Sequence, residues 1–221
     1  LDKMGVRFTG VASCILMIIG CSIKYYAISD AFTMEGELFG WKAQVMVAAL
    51  GYAIFGVGVE TAGITVSKII VRWFKGKEMA LAMGLEMATA RLGTALALSI
   101  TVPAAKYFGS ISAPILLCLC MLCIGLIAFL VFCVMDRKLD ASMDAIEQAE
   151  EEEPFRLKDI LLIVTNKGFW LIALLCVLFY SAVFPFIKYA ADLMVQKYNV
   201  DPKLAGTIPG LLPIGAIILT P

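Results

Sequence analysis

Histidine is absent from these 221 residues, and charge is scarce: 18 Lys and Arg with 18 Asp and Glu make up 16% of the chain. Without an imidazole there is no Ser–His or Cys–His pair for nucleophilic catalysis and no histidine metal ligand. No G-x-x-x-x-G-K-[ST] loop is present to cradle a nucleotide phosphate. The formal charges cancel, so no basic excess marks a nucleic-acid partner. Soluble domains carry roughly 25% charged residues, and this chain falls well below that. All seven cysteines lie in apolar segments. Cys120 and Cys123 form a C-x-x-C with no polar flank and no second pair, which reads as small apolar side chains rather than a metal or redox centre. We therefore expect no catalytic site, no metal and no cofactor.

What the chain does have is apolar length. Hydrophobic residues make up 61% and the mean hydropathy is +0.91. Stretches near 8–28, 42–68, 78–105, 111–135 and 168–190, and a sixth from about 204, approach the roughly 20 residues that cross a bilayer as helix. Strands of a membrane barrel would be about half as long and alternating. The fold class is all-α, a polytopic transmembrane helical protein solvated by a lipid bilayer. Leu1 opens inside a loop motif and Pro221 closes inside an apolar run, so a fragment of a longer chain is expected.

Orientation follows from Lys and Arg. With the first span starting inside, inner segments hold 11 (Lys3, Arg7, Lys68, Arg72, Lys75, Lys77, Arg137, Lys138, Arg156, Lys158 and Lys167), outer segments hold 4, and three lie within spans. The basic turn RWFKGKE, residues 72–78, is accordingly cytoplasmic. A polar stretch, 136–167, divides the chain into spans at 1–135 and 168–221. Its Glu150–Glu153 run reads as solvated linker. After Pro154, Leu157, Ile160, Leu161 and Val164 follow i, i+3, i+4, i+7, the pattern of an amphipathic helix on the membrane surface.

Two charges lie deep in apolar segments: Glu60 in the second and Arg91 in the third. Ionisable groups inside a span are costly and mark sites by default. Arg91 lies 13 residues beyond Glu78, about 20 Å along a helix and near mid-membrane. Its planar guanidinium suits a carboxylate, while Glu60 suits an ammonium. The same two residues as a buried ion pair would instead brace two helices, and the two arrangements coexist if the pair opens on binding. Glu86, five residues before Arg91, is turned about 140° away and is a possible second polar or proton site. Tyr180 and Phe184 are cavity-lining or core aromatics. Gly51 with Gly58, and Gly56 with Gly63, at spacing seven, permit close helix packing.

LDKMGVR, with Asp2, Gly5 and Arg7, resembles the D-[RK]-x-G-x-[RK] gating loop between helices 2 and 3 of the major facilitator superfamily. Four spans, a linker and two more spans are then similar to helices 3–6, the central linker and helices 7–8, about six of twelve. GVGVETAG, WFKGKEMALAMGL, ATARLG and the helix around VFPFI resemble the lysosomal dipeptide transporter branch. That branch carries peptide-binding acid and arginine where Glu60 and Arg91 stand; the chain departs from it at Glu86, where Gln is usual, and at Lys188, where Gly is usual. The resemblance implies alternating-access movement of a small-molecule substrate, dipeptides or similar zwitterions, without ATP hydrolysis. The alternative is a transporter-shaped sensor or partner subunit. An accessory subunit is compatible with either, and a plasma or bacterial inner membrane is expected rather than a lysosomal one.

Overall fold

A computed structural model describes residues 5–33, 36–38, 40–74, 78–143 and 164–219. The described elements are α1 (Gly5–Ile28), β1 (Glu37–Leu38), β2 (Trp41–Lys42), α2 (Ala43–Trp73), α3 (Met79–Phe108), α4 (Ala113–Met143), α5 (Lys167–Tyr198), α6 (Pro202–Ala205) and α7 (Thr207–Leu219). Five of the helices, α1 to α5, are long and apolar enough to cross a membrane. They match the first five spans read from the sequence. The sixth stretch, expected from about 204 to the end of the given sequence, is described as α7, 13 residues with Pro213 inside it.

The chain forms two compact units, one of residues 1–83 and 104–150, the other of residues 84–103 and 151–221. Helix α3 is shared between them, its central turns grouping with the later part of the chain.

In the first unit, α1 and α2 meet through small residues. A Cβ built on Gly20 would lie 2.5 Å from the Phe55 nitrogen and 2.6 Å from the Gly51 carbonyl oxygen, and one on Gly51 would lie 2.8 Å from the Gly20 oxygen. One on Gly58 would lie 2.8 Å from Met17 Cγ. The backbones therefore touch, as small-residue interfaces in membranes allow. Only one of the two expected glycine pairs does this. Gly56 and Gly63 meet nothing within 4 Å, because they lie off the stripe of Gly51, Gly58 and Thr65 that faces α1. Polar residues on the interface satisfy themselves within their own helices: the Ser13 hydroxyl donates to the Thr9 carbonyl at 2.7 Å and Thr65 to Thr61 at 2.8 Å.

At the C-terminal end of α1, Gln44 Nε2 donates to the Ala27 carbonyl at 2.8 Å and ties the start of α2 to it. A two-residue hairpin between these helices pairs Glu37 with Lys42 and Leu38 with Trp41. Gly40 supplies its turn with a φ of 78°, a conformation that glycine adopts without strain. Helix α4 packs on α1 where the Phe129 ring lies over Gly10, in the space a side chain at Gly10 would need. It also runs on through Met143, well into the stretch expected as linker. Among those added residues, DRKLDASM, Arg137, Lys138 and Leu139 are good helix formers, and Asp136 is held in place by contacts described below. The amphipathic helix expected after Pro154 falls almost wholly outside the described residues.

In the second unit, α5 starts at Asn166, whose side-chain oxygen accepts from the Gly168 N–H at 2.8 Å. It ends at Asn199, left-handed at φ 51°, with the Val200 N–H reaching back to the Met194 carbonyl at 3.2 Å. Helix α7 approaches α3 through glycine. A Cβ on Gly206 would collide with the Leu98 carbonyl, and one on Gly210 would lie 3.3 Å from Ser99 Oγ.

Candidate functional site

Glu60 sits on α2 two residues beyond Gly58, hence about 200° around the helix from the stripe packed on α1. The side chain is exposed, and within its own unit it makes no ion pair among the described residues. Packing of α1 on α2 therefore does not consume this carboxylate.

Arg91 belongs to the second unit and is half-buried. With Ala95 and Ser99 it forms an i, i+4, i+8 stripe, and that stripe carries the α7 contact at Gly210. Glu86 is on another face of α3, half-buried, with its Oε2 shielded from solvent. On α5, Tyr180 and Phe184 stack at 5.0 Å between ring centroids and 15° between planes. Both are about half exposed, at 49% and 52%, so they form a flat aromatic platform instead of interlocking with a core.

Of the gating-loop residues, Asp2 lies outside the described residues. Gly5 opens α1 with a φ of 74°, again a glycine conformation. Arg7, two residues further, joins a cluster that the sequence reading missed. Asp136 of α4 is fully buried. Its Oδ1 accepts from the Trp73 indole N–H at 3.0 Å, and its Oδ2 sits 3.6 Å from Arg7 Nε and 3.5 Å from Arg72 of α2. Phe132 packs on Trp73 at 5.6 Å and on Phe129 at 5.5 Å. One carboxylate thus ties together the N-terminal end of α1 and the C-terminal ends of α2 and α4, beside an aromatic cluster. A buried charge is tolerated only when paired and hydrogen-bonded, and here it is both. The signal in the sequence was an acid directly continuing an apolar helix. Assigning residue 136 to the linker hid it.

The fold and these sites define a polytopic helical membrane protein with charges placed inside its spans. The chain belongs to the Major Facilitator Superfamily, whose sequence profile it matches across residues 1–221. It is 29% identical over 188 residues to the lysosomal dipeptide transporter MFSD1 of Mus musculus, covering 78% of this chain and 38% of that protein. The Danio rerio counterpart is 29% identical over 171 residues, covering 72% and 36%, and that of Homo sapiens 28% over 193 residues, covering 77% and 38%. The chain spans less than two-fifths of the length of these relatives. No solved structure matches it.

Proposed function

We propose that this chain is part of a secondary or facilitative transporter that moves dipeptides or similar zwitterions by alternating access. The observation that carries the reading is Glu60, an exposed carboxylate inside a span, turned away from the glycine face of α2 that packs on α1. A charge near the membrane centre costs about 2.5–3.5 kcal/mol on insertion scales, and helix packing within the first unit returns none of that cost. A ligand ammonium would. In this reading Arg91 takes the substrate carboxylate through its planar fork, and Tyr180 with Phe184 offers a stacked surface to the side chains between the two charged ends. Glu86 is the second polar position. The names of the relatives support the substrate class, since each is a dipeptide transporter.

The test is uptake of a labelled dipeptide into proteoliposomes holding the full-length protein. Saturable uptake competed by unlabelled dipeptide supports the proposal. Binding without uptake points instead to a sensor or partner subunit with a transporter fold.

A further inference from the structure

The first unit contains a second candidate site, independent of the substrate question. Helices α2 and α4 both pack on α1, α2 over Gly20 and α4 over Gly10 and Cys21, whose thiol donates to the Ile115 carbonyl at 3.7 Å. A cleft of about 240 Å³ lies among the three helices. Its lining includes Gly10 and Met17 of α1, Ala62 and Val66 of α2, and Gly125 and Phe129 of α4. At this size the cleft falls below the roughly 300–1,000 Å³ of a drug-sized ligand pocket, and its apolar walls suit a slim hydrocarbon chain.

The lining of the cleft leads to a lysine. On α1, Gly10, Met17 and Lys24 recur every seven residues, and on α2 Tyr52, Phe55, Val59, Ala62 and Val66 follow i, i+3, i+7, i+10 and i+14. Residues at these spacings share a helix face, so the walls on both helices continue to Lys24 and two aromatic rings. The Lys24 ammonium lies 5.1 Å from the centroid of the Tyr52 ring and 6.0 Å from that of Phe55. Among the described residues it forms no ion pair. Ring faces attract a cation but give its three N–H donors no lone pair. Lys24 stands four residues before Ile28, about 6 Å from the end of α1, where lysine and tyrosine side chains meet the headgroup region. From Lys24 to Gly10 is fourteen residues, about 21 Å of helix. That length covers half of a hydrocarbon core about 30 Å thick and part of the headgroup layer beside it.

We propose that the first unit holds one anionic phospholipid, its phosphate on Lys24 and one acyl chain in the cleft between α1, α2 and α4. The two ends of the cleft set the direction of the lipid. Beyond Phe129 the Trp73 indole N–H reaches Asp136 at 3.0 Å and Phe132 packs on Trp73 at 5.6 Å, so side chains bridge α2 to α4 and the acyl chain ends there. At the other end the ammonium takes a phosphate oxygen in a charge-assisted hydrogen bond, and the charge that Lys24 brings into a span is offset.

The experiment uses the full-length protein, delipidated in detergent and titrated with dioleoyl phosphatidylglycerol or dioleoyl phosphatidylcholine, with bound lipid read by native mass spectrometry. One lysine at about 1 kcal/mol corresponds to a preference of about five-fold for the anionic lipid. Lys24→Gln should abolish that preference and Lys24→Arg should keep it. Gly125→Leu should fill the cleft and weaken phosphatidylglycerol about ten-fold or more with Lys24 intact, as expected from two displaced methylenes. A Cβ at Gly125 meets nothing within 4 Å and leucine is the better helix former, so this variant decides the matter even where Lys24→Gln fails to accumulate. Glycerol 3-phosphate should not displace the lipid. Equal binding of the two lipids, or a preference that survives Lys24→Gln, would overturn the proposal. So would displacement by glycerol 3-phosphate, which would indicate a soluble-anion site, or unchanged binding in Gly125→Leu, which would mean that no acyl chain enters the cleft.

Discussion

The glycines of α1 and α2 allow a sharp test, because the same substitution is expected to act with opposite sign on and off the seam between the two helices. At Gly20, facing α2, a methyl group would lie 2.5 Å from the Phe55 nitrogen and 2.6 Å from the Gly51 oxygen, where ordinary contact starts near 3.4 Å. Both obstacles are backbone, so no side chain can swing away. The helices must separate by about 0.8 Å, and gaps of that order forfeit a quarter to a half of each dispersion contact along the seam. Overpacking of this kind costs about 1–3 kcal/mol, and more at an interface made of backbone. Replacing a helical glycine by alanine recovers only about 0.8–1 kcal/mol of propensity. Gly20→Ala should therefore be destabilising, and Gly20→Ala with Gly51→Ala more so. At Gly56 and Gly63 nothing lies within 4 Å, and the propensity gain stands alone. Thermal unfolding of the full-length protein in detergent should show a lowered midpoint for Gly20→Ala and an unchanged or raised one for Gly56→Ala. Equal effects at the two positions would refute the reasoning that backbone contact holds α1 on α2.

Asp136→Ala removes the shared partner of Arg7, Arg72 and Trp73, and loss of one side of a buried pair costs about 3–5 kcal/mol. Because both arginines are partly exposed, the lower end is expected, read as a lower unfolding midpoint; no change would deny the cluster a bracing role. Asp2→Asn in the gating loop should slow transport while substrate affinity stays within a few-fold, and an unchanged rate in a well-expressed protein would count against gating there. Tyr180→Ala should weaken dipeptides with bulky aromatic side chains more than diglycine, since it removes half of the stacked platform on α5; equal losses for both substrates would make that aromatic pair structural.

Composition and run length were enough to show membrane helices, because a bilayer imposes one length and one polarity on anything that crosses it. The starts of α2, α3, α4 and α5 were accordingly legible. The C-terminal ends of α2 and α4 were not. Helix α4 continues through Asp136 because a carboxylate can remain helical and buried when an indole and two guanidiniums from other helices meet it, and that meeting is tertiary information. The spacing of Gly51 and Gly58 matched that of Gly56 and Gly63, yet only one pair has a neighbouring backbone. Periodicity defines a face but does not say which helix lies opposite. Glu60 and Arg91 stood out as charges in apolar segments, and the structure adds that packing on α1 does not use the Glu60 face. Residues 144–163 include most of the expected surface helix and lie outside the described part of the chain.

The central claim is that Glu60 and Arg91 hold the two ends of a zwitterion. The most direct measurement is binding and uptake of a dipeptide and its N-acetylated form by Glu60→Gln, Arg91→Ala, Arg91→Lys and the double variant Glu60→Gln with Arg91→Gln, each normalised to folded protein. If the claim holds, Glu60→Gln weakens the free dipeptide far more than the acetylated one, and Arg91→Lys fails nearly as badly as Arg91→Ala, because lysine keeps the charge but lacks the planar fork. The double variant then stays inactive. Recovery of transport in the double variant would show that the two charges only brace the protein, and would contradict the claim.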